Sequence, residues 1–168
     1  NDIMKLSELD ELSPNAIQLE KVNVSDVLRE IVSALESLAD KRRIQIALPA
    51  ENFFILGDRN KLYEMFYNLI SNAIRYNKDG GSVKVVYEKN AVIVEDSGMG
   101  IAEEHLPHIF ERFYRADKSR SKETGGTGLG LAIVKHIALL HHASIKLESQ
   151  EGRGTCITVV FPEGGANK

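Results

Sequence analysis

Apolar residues recur along this chain with two different periods, which predict an alternation of helices and strands. A spacing of three and four residues predicts three long helices: one capped by Ser25, one capped by Asp58 that ends near Tyr76, and one over 129–141. In the second helix this spacing predicts the buried side chains: Leu62, Met65, Phe66, Leu69 and Ala73. Short apolar runs between turn residues predict strands at 19–24, 44–48, 53–56, 83–87, 91–95, 145–149 and 155–161.

Three further segments have a weaker pattern. Residues 1–12 carry Ile3, Leu6, Leu9 and Leu12 among charges, which predicts the tail of an amphipathic helix that Pro14 ends. Residues 103–109 predict a short helix. Residues 111–127 have many charges and no clean period, which predicts a mobile lid.

The order of these elements predicts an α/β (α+β) two-layer sandwich, in which a mixed β-sheet is covered on one face by about three helices. We expect a helix remnant and linker in residues 1–15, one folded domain in residues 16–163, and a disordered tail in residues 164–168. Because the sequence begins without methionine, we expect it to be a piece of a longer protein.

Length and composition narrow the functional classes. The 168 residues suit one domain with a hydrophobic core, and a net charge of −3 gives no general reason to bind nucleic acid or an anionic membrane. No apolar run approaches the roughly 20 residues that span a bilayer. The single cysteine, Cys156, excludes an internal disulfide and fits a reducing cytosol; its strand-like context favours packing over reactivity.

Two asparagines in the second predicted helix are the first candidates for chemistry. Asn68 and Asn72 are four residues apart, so they share one helix face at the margin of the predicted core. Asparagine is a poor residue for a helix interior, and Mg²⁺ accepts an amide oxygen together with phosphate oxygens and waters. Taken alone, the pair would favour solvated surface side chains; together with the glycine clusters it favours a nucleotide pocket.

The first glycine cluster follows a predicted strand. Asp96 ends the apolar run, and Gly98 and Gly100 follow within four residues. A carboxylate at a strand end can accept the exocyclic amine of adenine, and the glycines allow the backbone to approach the base. An ordinary turn has the same composition, so the pattern alone is only moderately specific.

The second glycine cluster, Gly-Gly-Thr-Gly-Leu-Gly-Leu at residues 125–131, immediately precedes the third predicted helix. Exposed backbone N–H groups at a helix N-terminus favour a bound phosphate. The cluster lacks the Gly-Lys-Ser/Thr ending of a P-loop, and no strand leads into it as in a Rossmann fingerprint. The lid before it carries cations that can offset triphosphate charge: Arg112, Arg115, Lys118, Arg120 and Lys122.

The three clusters occur in a fixed order, with His-Ile-Phe-Glu-Arg-Phe-Tyr-Arg at residues 108–115 between the last two. This set resembles the ATP-binding domain (Bergerat or GHKL type) of bacterial sensor histidine kinases, over roughly residues 17–162. The Tyr76-Asn77 pair and the motifs that follow are most similar to the transmembrane osmosensor and phosphate-sensor class. The resemblance implies ATP and Mg²⁺ as cofactors.

The resemblance also implies roles for individual residues. It implies that Asn72 is the Mg²⁺ ligand and that Asn68 and Arg115 are the catalytic residues. The implied nucleotide-binding residues are Asn68, Asn72, Arg75, Tyr76, Asp96, Gly98, Gly100, Ile101, Arg115, Gly126, Thr127, Gly128, Leu129, Gly130 and Thr155.

Position 68 separates two activities within this fold. The related gyrase and chaperone ATPases have a glutamate there that activates water, whereas an asparagine accepts no proton at neutral pH. The resemblance therefore implies suppressed hydrolysis and transfer of the γ-phosphate to a protein. Glu64, one turn earlier, is expected to be too distant to substitute.

The implied acceptor is a histidine on an upstream dimerisation domain, and a response regulator is the next partner. None of the five histidines here has the sequence context of an acceptor, so we expect this chain to bind ATP without phosphorylating itself. We expect a monomer, cytoplasmic, tied to the inner membrane only through absent N-terminal segments. Three alternatives are an anti-sigma-factor serine kinase of the same fold, a Bergerat-fold ATPase and a degenerate binding module.

Overall fold

The computed structural model describes residues 17–101, 103–110 and 130–162. Within these ranges the α-helices are α1 (Val24–Lys41), α2 (Arg59–Arg75) and α3 (Gly130–Leu140), with a 3-10 helix at Glu103–His108. The strands are β1 (Glu20–Asn23), β2 (Gln45–Ala47), β3 (Phe54–Gly57), β4 (Ser82–Glu88), β5 (Ala91–Asp96), β6 (Ser144–Gln150) and β7 (Gly154–Val160).

Five of the strands form one mixed sheet in the order β2-β4-β5-β7-β6. β2 pairs with β4 in parallel, and the remaining neighbours are antiparallel. β1 and β3 pair separately as a two-stranded antiparallel ribbon. The predicted two-layer α/β sandwich, with a mixed sheet and three helices, is confirmed. The separate ribbon adds a feature that the apolar runs did not indicate.

The core lies between the helices and one face of the main sheet. α2 is central: it contacts α1 and α3 and packs on β4 and β5. All five α2 side chains predicted to be buried are buried, from Leu62 (0% exposed) to Ala73 (5% exposed). No helix in the described ranges is long and apolar enough to cross a bilayer.

The opposite face of the main sheet carries polar side chains. The strand pairing aligns Lys84, Glu95, Cys156 and Glu148 in one row across four strands. Cys156 is half-buried, and burial, followed by the nearby carboxylate of Glu95, raises the pKa of its thiol. A raised pKa keeps the thiol protonated and agrees with the predicted packing role.

The predicted cap of α1 is wrong. Asn23, not Ser25, is the N-cap, because its backbone is extended (φ −85°, ψ 104°) and its side chain accepts the Ser25 N–H at 3.1 Å. Ser25 is buried inside the first turn instead. Its hydroxyl donates to the carbonyl oxygen of Glu51 at 2.7 Å and lies 2.7 Å from the hydroxyl of Tyr87.

The other predicted elements are present with small shifts at their ends. Asp58 caps α2 as expected, accepting the Lys61 N–H at 3.2 Å. The short helix predicted at 103–109 is a 3-10 helix at Glu103–His108. The predicted lid at 111–127 and the segments 1–15 and 164–168 lie outside the described residues.

Candidate nucleotide-binding site

The two asparagines of α2 are half-buried at the margin of the core, as predicted. Asn68 donates its amide N–H to the carbonyl oxygen of Glu64 at 2.8 Å, one turn earlier. This bond uses one of the two amide N–H groups and leaves the amide oxygen available as an acceptor. The Asn72 side chain makes no hydrogen bond within the described part of the chain. Both residues can therefore offer amide oxygens to a ligand.

A carboxylate oxygen of Glu64 lies on the same side of α2. Its Oε1 is buried and has no hydrogen-bond partner among the described residues. Glu64 and Asn68 are four residues apart, so this carboxylate is stacked one turn from the amide. The prediction that it is too distant to replace a catalytic base stays a prediction.

The C-terminal end of α2 is held by an arginine from α1. Arg42 donates its guanidinium N–H groups to the carbonyl oxygens of Ile74 (3.1 Å), Arg75 and Asn77. The first two are carbonyls of the last turn of α2, which a helix end leaves without intrahelical partners, and the third belongs to the loop that follows. A cation at this end also suits the helix dipole. Arg75 and Tyr76, two of the predicted site residues, are thereby fixed at the end of the helix.

The carboxylate of Asp96 lies at the end of β5, directly before the first glycine turn. Burial raises its pKa, while N–H donation from Gly98 (2.9 Å) and from Thr155 acts in the opposite direction. Both donors stabilise the ionised form and fix the direction of the carboxylate. The group is a half-buried, oriented hydrogen-bond acceptor, of the kind that adenine recognition requires.

The two glycines after Asp96 are needed for close packing. A Cβ atom on Gly98 would lie 2.6 Å from the carbonyl oxygen of Tyr76. Gly100 has a φ of 70°, and a Cβ there would collide with the carbonyl of Gln150. The turn is therefore pressed between the end of α2 and the β6–β7 hairpin.

Asn77 joins the asparagine helix to this turn. It is fully buried (0% exposed), and its Nδ2 donates to the Ser82 carbonyl oxygen at 2.9 Å. Its Oδ1 accepts the hydroxyl of Ser97 at 3.3 Å, and the Met99 N–H donates to the Tyr76 carbonyl oxygen at 3.2 Å. These bonds bring the region of Asn72, Arg75 and Tyr76 against that of Asp96.

The structure thus brings together the predicted residues of α2 and of the first glycine turn. Ile101 follows that turn directly, and its N–H donates to the Ser149 hydroxyl at 2.7 Å. Gly130 begins α3, as the second glycine cluster predicts. Five predicted site residues lie outside the described ranges: Arg115, Gly126, Thr127, Gly128 and Leu129.

The donor set fits an adenine nucleotide with a metal held chiefly by the nucleotide. Asp96 has the acceptor that an adenine amine would need, and Asn72 has an uncharged oxygen, a ligand type that Mg²⁺ accepts. The described residues contain no group of three or more His, Cys, Asp or Glu side chains that could hold a metal.

Comparison with known proteins identifies the family of this chain. Residues 57–165 match the family described as histidine kinase-, DNA gyrase B- and HSP90-like ATPase. The chain belongs to this family. The resemblance to the ATP-binding domain of sensor histidine kinases, predicted from the ordered motifs, is thereby confirmed.

Three similar proteins illustrate the relationship. The sensor-like histidine kinase SenX3 of Mycolicibacterium smegmatis is 43% identical over 150 residues, which cover 86% of this chain and 39% of SenX3. The phosphate regulon sensor protein PhoR of Pseudomonas aeruginosa is 37% identical, covering 96% of this chain and 37% of PhoR. The crystal structure of full-length ShkA in complex with AMPPNP matches with a TM-score of 0.78 at 25% identity, over 96% of this chain and 34% of ShkA. The chain therefore spans about two-fifths of the length of these curated relatives.

Proposed function

We propose that this chain binds Mg²⁺-ATP as the catalytic domain of a two-component sensor histidine kinase. In this proposal the γ-phosphate passes to a histidine on an upstream dimerisation domain, and then to a response regulator. The observation that carries the proposal is that the turn after Asp96 is hydrogen-bonded to the end of α2. The bonds join Ser97 to Asn77 and Met99 to Tyr76. The names of the relatives and the ATP analogue bound to ShkA support it.

Asp96 gives the site its preference for adenine. Its carboxylate accepts the 6-amino group, which guanine lacks, while the Gly98 and Thr155 N–H groups hold it in place. Asn72 gives an oxygen to Mg²⁺, and Arg75 and Tyr76 approach the phosphates and the base or ribose. Arg115 and the residues from Gly126 to Gly130 complete the phosphate side. ATP itself supplies the phosphoryl group that is transferred.

Asn68 determines the fate of that phosphoryl group. An amide cannot take a proton from water, so the residue that activates hydrolysis in related ATPases is missing here. Phosphoryl transfer relies on positioning and charge stabilisation more than on covalent chemistry by the protein. A site with positioning groups and no base at residue 68 favours transfer to a protein acceptor over hydrolysis.

The proposal extends to the remainder of the protein. Residues 1–15 continue a dimerisation helix, residues 16–163 form the catalytic domain, and the whole protein is a membrane sensor with this domain in the cytoplasm. An anti-sigma-factor serine kinase is the competing partner class. The matches to SenX3 and PhoR, which extend over most of this chain, favour the histidine kinase.

Calorimetric titration with ADP and a non-hydrolysable ATP analogue, with and without Mg²⁺, tests the proposal. We expect adenine-selective, Mg²⁺-dependent binding that Asp96→Asn weakens by about tenfold or more, since a charged hydrogen bond contributes roughly 1.5–3 kcal/mol. Asp40→Asn, the same change at an exposed position, is the matched control and should leave affinity unchanged. Absence of binding to the unaltered chain, or equal binding of GTP, would contradict the proposal.

A further inference from the structure

A buried asparagine lies between the two halves of the proposed nucleotide site. Asn77 follows Arg75 and Tyr76, the residues proposed to approach the phosphates and the base or ribose, and it is 0% exposed. Gly98, in the turn after Asp96, packs directly against it, because a Cβ atom on Gly98 would lie 3.0 Å from the Asn77 Cα atom. Asn77 is therefore the point at which the end of α2 meets the turn that follows the base-recognising carboxylate.

The polar groups of Asn77 are engaged within the protein. Its Oδ1 accepts the Lys78 N–H at 2.8 Å and the Ser97 hydroxyl at 3.3 Å, and its Nδ2 donates to the Ser82 carbonyl oxygen at 2.9 Å. Its backbone carbonyl oxygen accepts a hydrogen bond from Arg42. An amide oxygen has two lone pairs, so Oδ1 has no capacity left for a ligand. A fully buried side chain whose acceptor positions are filled acts on a nucleotide through its neighbours and not by contact.

Ser97 is the residue through which Asn77 reaches the turn. The Ser97 hydroxyl oxygen accepts the Ser82 N–H at 2.8 Å, and the Ser97 N–H donates to the Ser82 carbonyl oxygen at 3.1 Å. The hydroxyl has one hydrogen, and Asn77 Oδ1 at 3.3 Å is a nearer acceptor than the Ser82 carbonyl oxygen at 3.5 Å. Since Ser97 directly follows Asp96, this hydrogen bond ties the turn to the end of α2.

Gly81 leaves the space that this contact needs. A Cβ atom there would collide with Asn77 Oδ1 and would lie 2.8 Å from Ser97 Oγ. A side chain at residue 81 would therefore displace both the amide and the hydroxyl. Three segments meet at this point: the end of α2, the loop that leads into β4, and the turn after β5.

We propose that Asn77 is a positioning residue that holds the end of α2 in register with the adenine-recognising turn, through the Ser97 hydroxyl. This role rests on the proposed adenine-nucleotide site and adds to it the spacing between its two halves. A nucleotide that contacts both halves gains from their fixed separation, because less ordering is needed on binding. Adenosine has no phosphates and gains little from that separation. The carboxylate that recognises the base keeps its own N–H donors, from Gly98 and Thr155, so base recognition does not depend on Asn77.

The experiment measures the affinities of Mg²⁺-ADP and adenosine for the same preparation, by competition with a fluorescent ATP analogue, so that a partly unfolded variant does not alter their ratio. The variants are Ser97→Ala, Asn77→Ala, the double variant and Gly81→Ala. Gly81→Ala removes no hydrogen-bonding group, and the φ of Gly81 is not positive, so alanine suits its backbone. Gly80→Asn is the matched control, because asparagine tolerates a φ of 77° and a Cβ atom there would meet nothing within 4 Å.

We expect Asn77→Ala to lower the ADP-to-adenosine affinity ratio by about tenfold, equivalent to ~1.4 kcal/mol. Ser97→Ala removes one neutral hydrogen bond and should lower the ratio about threefold. The double variant should match Asn77→Ala alone, because both substitutions remove the same contact. Gly81→Ala should also lower the ratio, and Gly80→Asn should keep it.

Two results would overturn the inference. Equal weakening of ADP and adenosine in Asn77→Ala and Gly81→Ala would mean that Asn77 only supports the fold. A ratio that falls further in the double variant than in Asn77→Ala would mean that Ser97 acts by another route. In either case, loss of the adenine preference in Asp96→Asn would leave the proposed function standing. Failure of the unaltered chain to bind ADP would instead remove the proposed function and this inference with it.

Discussion

At the scale of single residues, the proposed preference for phosphoryl transfer over hydrolysis depends on position 68. Asn68 lies half-buried on α2 with its amide nitrogen bonded to the Glu64 carbonyl. The neighbouring Glu64 Oε1 is buried without a hydrogen-bond partner in the described ranges. A carboxylate is thus already close to this part of the helix, one turn from the position where the related ATPases have their base.

We predict that Asn68→Glu converts the domain into a faster ATPase. A general base contributes about 10²–10⁴-fold to a rate when it is well placed, so a rise of about tenfold allows for imperfect geometry. The like charge of Glu64 four residues earlier should cost roughly 0.2–0.5 kcal/mol of stability. The measurement is phosphate release from Mg²⁺-ATP. Asn68→Gln, which enlarges the side chain without adding a base, should stay at the original rate; an equal rise there would exclude the base mechanism.

Single residues also show where sequence patterns stop being informative. Asp58 was identified as a cap because its partner, the Lys61 N–H, is three residues away. Asn23 and Ser25 are both good cap residues, and the pattern favoured the wrong one. The deciding contact, between Ser25 and Tyr87, joins residues 62 positions apart. Tertiary burial of a polar residue leaves no local signature.

At the scale of elements, α1 ends where it can stabilise the end of α2. Arg42 is the residue that caps α1, and its side chain reaches the last carbonyls of α2 and the loop that follows. Its side chain is 22% exposed, so these hydrogen bonds are largely shielded from water. The helix with the two asparagines therefore depends on a residue of another helix for its final turn.

We predict that Arg42→Gln lowers the free energy of unfolding by about 1–3 kcal/mol, because hydrogen bonds from a charged donor to helix carbonyls are lost. Urea denaturation measures the change. Lys41→Gln removes the same charge from the adjacent exposed position and should cost less than about 0.5 kcal/mol. Equal losses in both variants would mean that only net charge matters here.

The helices and strands were largely predictable from the sequence, but the long-range hydrogen bonds between them were not. Helices and strands follow from the spacing of apolar residues, which is a local property. The asparagine and glycine motifs were visible for the same reason. Arg42 and Ser149 were missed, because their partners lie 32 and 48 residues away in sequence. No pattern along the chain connects a helix-ending arginine or a strand serine to those groups.

At the scale of the whole molecule, α2 and α3 are joined by a buried histidine. His141 follows α3 and is 4% exposed. Its Nε2 accepts the Asp58 N–H at 3.0 Å, at the start of α2, and its Nδ1 lies 2.9 Å from the Ile137 carbonyl oxygen. One nitrogen must accept while the other donates, so the ring is neutral with its hydrogen on Nδ1.

This histidine should make the domain sensitive to acid. Burial lowers the pKa of His141, and His142 acts in the same direction; the Ile137 carbonyl and Asp58 oppose them. Because the folded pKa lies below the unfolded value near 6.5, the unfolded chain binds more protons as pH falls. The contribution of neutral His141 to the free energy of unfolding is fully present above about pH 6.5 and declines as the pH drops towards the folded pKa.

We predict that the free energy of unfolding, measured in urea between pH 8 and pH 5, falls more steeply for the unaltered chain than for His141→Gln. Asp96 and other carboxylates titrate in both proteins, so the difference between the two curves isolates His141. The control is His142→Asn, at an exposed residue with a φ of 56° that asparagine tolerates. Because His142 makes the smallest contribution to the pKa of His141, this variant should keep most of the steep profile. Identical slopes for all three proteins would contradict the assignment.

The single cysteine of the sequence has a practical consequence for experiments on this domain. Cys156 lies on the open face of the main sheet, while its strand neighbour Thr155 points to the helix-covered face. A fluorophore coupled to that thiol would report on the domain from the side away from the proposed nucleotide site. Since coupling requires the thiolate, the raised pKa favours alkaline labelling buffers and protects the unlabelled protein from adventitious oxidation near neutral pH.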